Sequence, residues 1–182
     1  TGTGNAYTIT VTDSSVSADK LNSLATKTSV AVDVSSTTVT GSAADIKTAY
    51  TSTGLTGLGS EAIAVTGSVS VADVNTIGGY TTGTLTATVS EGDAATLKGI
   101  TESGNSLSVT VTDASVAASD LTSIDASTTS VVNVSSTTTT LTGTNAEQLA
   151  AYSAQKDGTI AGLDSVFDAT NYLASHEDLL KA

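Results

Sequence analysis

Along several short stretches of this chain, apolar residues alternate with mostly Thr, Ser, Asp or Asn. Examples are Ile9-Val11, Val30-Val32-Val34, Ile63-Val65, Leu107-Val109-Val111 and Val132-Val134. A period of two predicts a strand buried on one face. After each stretch the apolar period lengthens. Leu21 and Leu24, Val74 and Ile77, Leu97 and Ile100, and Leu121 and Ile124 are three apart, as on one face of a helical turn. Six couples of strand and short helix follow in order: "TITVTD" with "SADKLNSLA", "VAVDVSS" with "SAADIKTAY", "AIAVTG" with "VADVNTIGG", "TLTATV" with "EGDAATLKGI", "SLSVTVTD" with "AASDLTSIDA", and "SVVNVSS" with "TNAEQLAAYSA".

The pattern is also duplicated at long range. A shift of one hundred positions aligns Ile9 to Thr38 with Val109 to Thr138 without a gap, and "TVTDSSVSA" at Thr10 returns as "TVTDASVAA" at Thr110. With Val11, Val32, Val65, Ala87, Val111 and Val132 taken as equivalent strand positions, the spacings are 21, 33, 22, 24 and 21 residues, the length of one solenoid coil. Helices of two turns do not persist alone, because nucleation is costly, so they must pack on neighbouring strands. Parallel pairing of equivalent strands requires a crossover, and the helical segment supplies it.

The predicted fold is therefore an α/β solenoid of six to seven short strand-plus-helix coils over residues 1–161, with a parallel sheet along one side. An all-β parallel solenoid is the alternative. Ser42/Asp45, Ser70/Asp73 and Thr144/Glu147 carry the hydroxyl-then-acid spacing that closes a helix N-terminus. Thr51 to Glu61, "TSTGLTGLGSE", makes the second coil long and is expected to be a loop closed by Leu55 and Leu58. Residues 162–182, with the single Phe and the single His, read as a helical C-terminal cap or the start of a next module. The opening Thr1-Gly2-Thr3-Gly4 has no signal-peptide pattern and suggests a fragment of a longer chain.

Composition narrows the partners. Six Lys, no Arg and eighteen Asp plus Glu give a net charge of -12, which repels phosphate backbones and excludes nucleic acid as a partner. No apolar run approaches the roughly 20 residues of a membrane helix, so no membrane insertion is expected. The absence of Cys removes disulfides and thiolate chemistry, and the absence of Pro suits uninterrupted ladders. With five Tyr, one Phe and no Trp or Met, the core is expected to be narrow and built of small β-branched residues.

Candidate chemistry is sparse. A Ser-His-Asp arrangement would have to use His176, in "SHEDLL", and nothing in the sequence signals an orienting partner for it. Asp13, Asp33, Asp73, Asp93 and Asp113 fall at strand ends and helix starts, where capping accounts for them, and no Arg accompanies them as in a glycan-cleaving groove. Asp13 and Asp113 end equivalent strands and allow weak surface Ca²⁺ binding, although "TGTGNAYTI" has Ala6 where an Asp ligand would be wanted. Thr8-Thr10-Thr12, Thr37 to Thr40 and Thr137 to Thr140 read as β-forming residues on an exposed face. "GGYTTGT" and "TGLTGLGS" lack the Lys or fingerprint of a phosphate loop. No catalytic residue and no cofactor are assigned, and the metal sites are left unassigned.

"TVTDASVAASDLTSIDASTTS", "SSTTVTGSAADIKTAYTSTGLTGLGSEAIAV" and "SVADVNTIGGYTTGTL" resemble tandem repeats in very large secreted surface proteins of marine cyanobacteria and other aquatic bacteria. The likeness covers most of Ala6 to Ala161, and the tail "NYLASHEDLLKA" is similar to the opening of another module in such proteins. It implies an extracellular or cell-surface location and a non-catalytic, adhesin-like structural role as stalk, spacer or coat. The alternative is a surface- or glycan-binding module with weak Ca²⁺ binding. The expected partners are other surface components, glycans, or a second copy joined end to end.

Overall fold

The computed structural model describes residues 5–166. The element order is β1 (Thr10–Val11), β2 (Ser15–Ser17), α1 (Ala18–Ala25), β3 (Val32–Val34), β4 (Thr38–Gly41), α2 (Ala43–Thr51), β5 (Leu55–Thr56), β6 (Ala62–Val69), α3 (Val71–Gly78), β7 (Leu85–Val89), α4 (Ala94–Leu97), β8 (Ser106–Val111), β9 (Ser115–Ala117), α5 (Ala118–Asp125), β10 (Val132–Val134), β11 (Thr140–Thr142), α6 (Asn145–Asp157) and β12 (Ile160–Ala161). All six expected strand-and-helix couples are present. Of the expected cap, only Gly162 to Val166 fall within the description, and Leu163–Ser165 make one 3-10 turn there. His176 and the rest of the cap lie outside the described residues.

The protein is α/β, and among the described residues every strand pair is parallel. The strands form an open seven-stranded sheet in the order β12-β10-β8-β7-β6-β4-β2, a three-stranded sheet β1-β3-β5 and a pair β11-β9. A single sheet along one side was expected. The division has a local cause, because several units hold two strands. β1 and β2, β3 and β4, β8 and β9, and β10 and β11 are each separated by a short run of Ser, Thr, Asp or Ala at which the chain bends.

Val16 lies opposite Val39, Val39 opposite Ile63, and Ile63 opposite Leu85, while Val109 lies opposite Val132 and Val132 opposite Ile160. These rows are almost dry: Val39, Ile63, Leu85, Val109 and Val132 expose none of their surface. The helices close the other side, with α1 packed on α2, α2 on α3, α4 on α5 and α5 on α6. Ala18, Leu21, Ile46, Val74, Ile77, Leu97 and Leu121 turn inward from them. The largest fully buried side chains are Leu, Ile and Val, so the core is as thin as its composition implied.

One assignment is corrected. The stretch 51–61 is not merely a loop, because Leu55–Thr56 forms β5 and pairs with Val32 and Asp33 of β3. Leu55 is buried, and this burial fixes the strand although only two residues of pattern announce it. Val32 and Val65 are consequently not neighbours. Val32 meets Leu55, and Val65 meets Gly41. The apparent 33-residue step is thereby resolved into steps near those of the other strands.

Residues one hundred apart occupy like surroundings. Thr28 Oγ1 accepts the Tyr7 N–H at 3.0 Å and donates to the Tyr7 carbonyl at 2.7 Å. Thr128 Oγ1 treats Leu107 in the same way, at 2.9 Å in each direction. The Val30 and Ser130 N–H groups then reach the same two hydroxyls at 3.1 Å.

Candidate functional site

The described residues bring polar groups together most closely around Glu61. Its residue is only 4% exposed, yet no cation pairs with it among the described residues. Its carboxylate is held by donors instead: Gly59 N–H at 3.0 and 2.9 Å, Ser60 N–H at 3.0 Å, and the Tyr50 hydroxyl. Backbone donors stabilise a buried carboxylate because they supply the hydrogen bonds that water has withdrawn. Gly59, at φ +129, adopts a conformation that favours glycine and so turns its N–H inward.

Tyr50, at the end of α2, stacks on Tyr80 with ring centroids 5.3 Å apart and planes 9° from parallel. Burial, then the hydrogen bond and the charge of Glu61, push the Tyr50 phenol well above its usual value. The Glu61 carbonyl accepts the Thr81 hydroxyl at 2.6 Å, and a Cβ on Gly83 would collide with that carbonyl. The cluster thus ties the loop after β5 to the end of α2 and to the turn after α3. The carboxylate's acceptor positions are occupied by fixed donors, so its chemistry is that of a brace.

Several of the other acids stand at helix starts, some of them acting at a distance. Ser42 and Ser70 accept the N–H of Asp45 and Asp73 at 3.2 and 3.1 Å. Thr144 and Glu147 form the full reciprocal box, in which Thr144 N–H donates to Glu147 Oε2 at 2.7 Å. The Thr144 backbone N–H, and then its hydroxyl, hold Glu147 below the usual carboxylate value. Asp93 is held below its own by Thr96, through side chain and then backbone hydrogen bonding.

Asp113 does not cap its own helix. It accepts the Ala94 N–H at 2.7 Å, at the start of α4, nineteen residues earlier. Glu91 likewise receives Val71 N–H, at the start of α3, at 3.2 Å. Asp33 departs from the expected strand-end position, since it stands exposed in the middle of β3. Asp73 also receives Lys47 at 2.6 Å.

A pocket of about 340 Å³ opens where Asp13, Ser15, Val16, Ser17 and Lys20 face Thr40. Asp13 and Asp113, the carboxylates considered for Ca²⁺, lie in different parts of the sheet system, and among the described residues no three His, Cys, Asp or Glu converge as metal ligands. No helix among the described residues is long and apolar enough to cross a membrane.

The sequence pointed to the capping pairs, which the structure assembles. It gave no sign of the Glu61 cluster, because Tyr50, Glu61 and Tyr80 are joined only once β5 and β6 are in place. Its available signal was an acid embedded between glycines and an apolar strand. Comparison of the chain with protein-family models, with curated proteins and with solved structures finds no match.

Proposed function

We propose that this chain is a non-catalytic structural segment of an extracellular bacterial surface protein, a stalk, spacer, coat or adhesin body built as one continuous α/β solenoid. The observation that carries the reading is the correspondence across one hundred residues. The Thr28 and Thr128 brackets, β1 with the end of β8, β2 with β9, α1 with α5 and β3 with β10 repeat the same local construction. Parallel addition of like units lengthens a protein without requiring a larger core. The extracellular location is proposed from the resemblance of its repeats to those of large secreted surface proteins. An acidic surface suits a role that avoids anionic polymers.

The reading is tested by incubating the chain with a panel of polysaccharides and measuring both retention and reducing ends. We expect neither cleavage nor saturable binding. Turnover would contradict the structural role. Saturable glycan binding, particularly if Ca²⁺ strengthened it, would establish the alternative of a binding module.

A further inference from the structure

The chain contains no Cys, Met or Trp, so its readily oxidised side chains are five Tyr and the single His. Thiols and thioethers, where a protein has them, take up oxidising equivalents readily. Here a one-electron oxidant meets phenols, and the phenols differ in their surroundings. Tyr7 stands 56% exposed, and Tyr152 lies half-buried on α6. Tyr172 lies outside the described residues.

Tyr50 and Tyr80 differ from these in two ways. Their rings stack, with centroids 5.3 Å apart and planes 9° from parallel. The Tyr50 hydroxyl also donates to Glu61 Oε1. A phenol that loses an electron gives up its proton as well, because the oxidised phenol is a strong acid. The step is faster where a positioned base already holds that proton. Of the groups that donate to Glu61, the Gly59 and Ser60 N–H groups cannot transfer a proton, whereas Tyr50 can. With the proton on Oε1, Oε2 still accepts Gly59 N–H at 2.9 Å and Ser60 N–H at 3.0 Å, so the backbone need not rearrange.

The second ring is held by the same cluster. Tyr80 N–H donates to the Ile77 carbonyl at 3.0 Å, and the hydroxyl of the next residue, Thr81, donates to the Glu61 carbonyl at 2.6 Å. Rings fixed side by side react at an effective concentration of about 10⁵ M, which no encounter between two chains matches.

We infer that Tyr50 and Tyr80 form an oxidative cross-linking site, in which Glu61 takes the Tyr50 proton and a one-electron oxidant, such as an oxidised metal complex, takes the electrons. Tyr50 loses an electron to the oxidant while its phenolic proton passes to Glu61 Oε1. Tyr80 loses a second electron, and its proton goes to water. The two unpaired electrons then form one C–C bond between ring carbons that neighbour the hydroxyl-bearing carbons. The hydrogens on the joined carbons shift to the oxygens and restore both phenols. In sum the oxidant gains two electrons and two protons leave, one of them through Glu61. The bond staples the end of α2 to the turn after α3, across thirty residues of chain. The site is independent of the surface-protein reading.

The test exposes the full chain, at high dilution, to light with tris(bipyridine)ruthenium(II) and persulfate, and maps the products by peptide mass spectrometry. A monomer in which the peptides of Tyr50 and Tyr80 are joined, with one hydrogen lost from each ring and dityrosine fluorescence gained, is expected. Tyr50→Phe and Tyr80→Phe are each expected to abolish that product. Glu61→Gln keeps an acceptor for the backbone donors but cannot take the proton. It is expected to slow formation of the bond about 100-fold, as for loss of a positioned base, while the Tyr50–Tyr80 ring contact persists in nuclear Overhauser spectra. An unchanged rate in Glu61→Gln would overturn the part given to Glu61. Cross-links mapped to Tyr7 or between chains, or Tyr50 and Tyr80 oxidised without joining, would overturn the site itself.

Discussion

Glu61 is the residue whose replacement tells most about the local construction. Removing its carboxylate by Glu61→Ala leaves the Gly59 and Ser60 N–H groups and the Tyr50 hydroxyl without their acceptor in a buried place. Unpaired buried donors are expected to cost about 3 kcal/mol, read as a lower urea midpoint, with Glu61→Gln losing less because an amide oxygen remains. Tyr50 adds a pH signature. Its phenol is raised in the folded protein, so its stabilising contribution is complete below the ordinary phenol value of about 10 and is lost as pH rises beyond it. Tyr50→Phe is expected to shrink the alkaline loss of stability, leaving the smaller part due to Tyr152, whose phenol burial also raises. None of this was legible in the sequence. Tyr50 lies at the end of α2, Glu61 in the loop before β6 and Tyr80 in the turn after α3, and only tertiary pairing brings them together.

At the scale of elements, legibility depended on how many residues carried the pattern. Helix starts with Ser or Thr three residues ahead of an acid were read correctly, because capping is a local exchange between a side chain and nearby N–H groups. Ser42→Ala and Ser70→Ala are each expected to cost about 1 kcal/mol, measurable by chemical unfolding. β5 was missed because two residues cannot display a period, and β2 because Val16 is its one apolar residue. Asp113 was correctly read as a cap but given no distant helix, since the N–H it accepts belongs to α4. The capping acids also fix the acid limb. Asp93 and Glu147 are depressed, so their contributions are present above the ordinary carboxylate values and are lost as pH falls below about 4. Protection against hydrogen exchange at the first turn of α6, relative to the intrinsic rate at each pH, is expected to fall in that range, and Glu147→Gln to remove this pH dependence.

At the scale of the molecule, the parallel arrangement followed from two features of the sequence: apolar rows too thin for a globular core and helices too short to stand alone. The number of sheets did not follow, because the bends between paired strands are made by Ser, Thr, Asp and Ala, which are ordinary in strands as well as in turns. The buried rows are where the stability of the whole resides. Leu107→Ala, at a position that exposes no surface, is expected to cost about 2–5 kcal/mol, whereas Tyr7→Ala at the equivalent open position is expected to change little. The proposed arrangement, in which parallel units follow one another in chain order and the two copies of the duplication stand apart, is tested most directly by methyl-to-methyl nuclear Overhauser contacts in the labelled chain. Contacts are expected from Val16 to Val39, Val39 to Ile63, Ile63 to Leu85 and Val109 to Val132. Direct contacts between residues one hundred apart, such as Val11 with Val111 or Val32 with Val132, would contradict it, because they would place the two copies face to face.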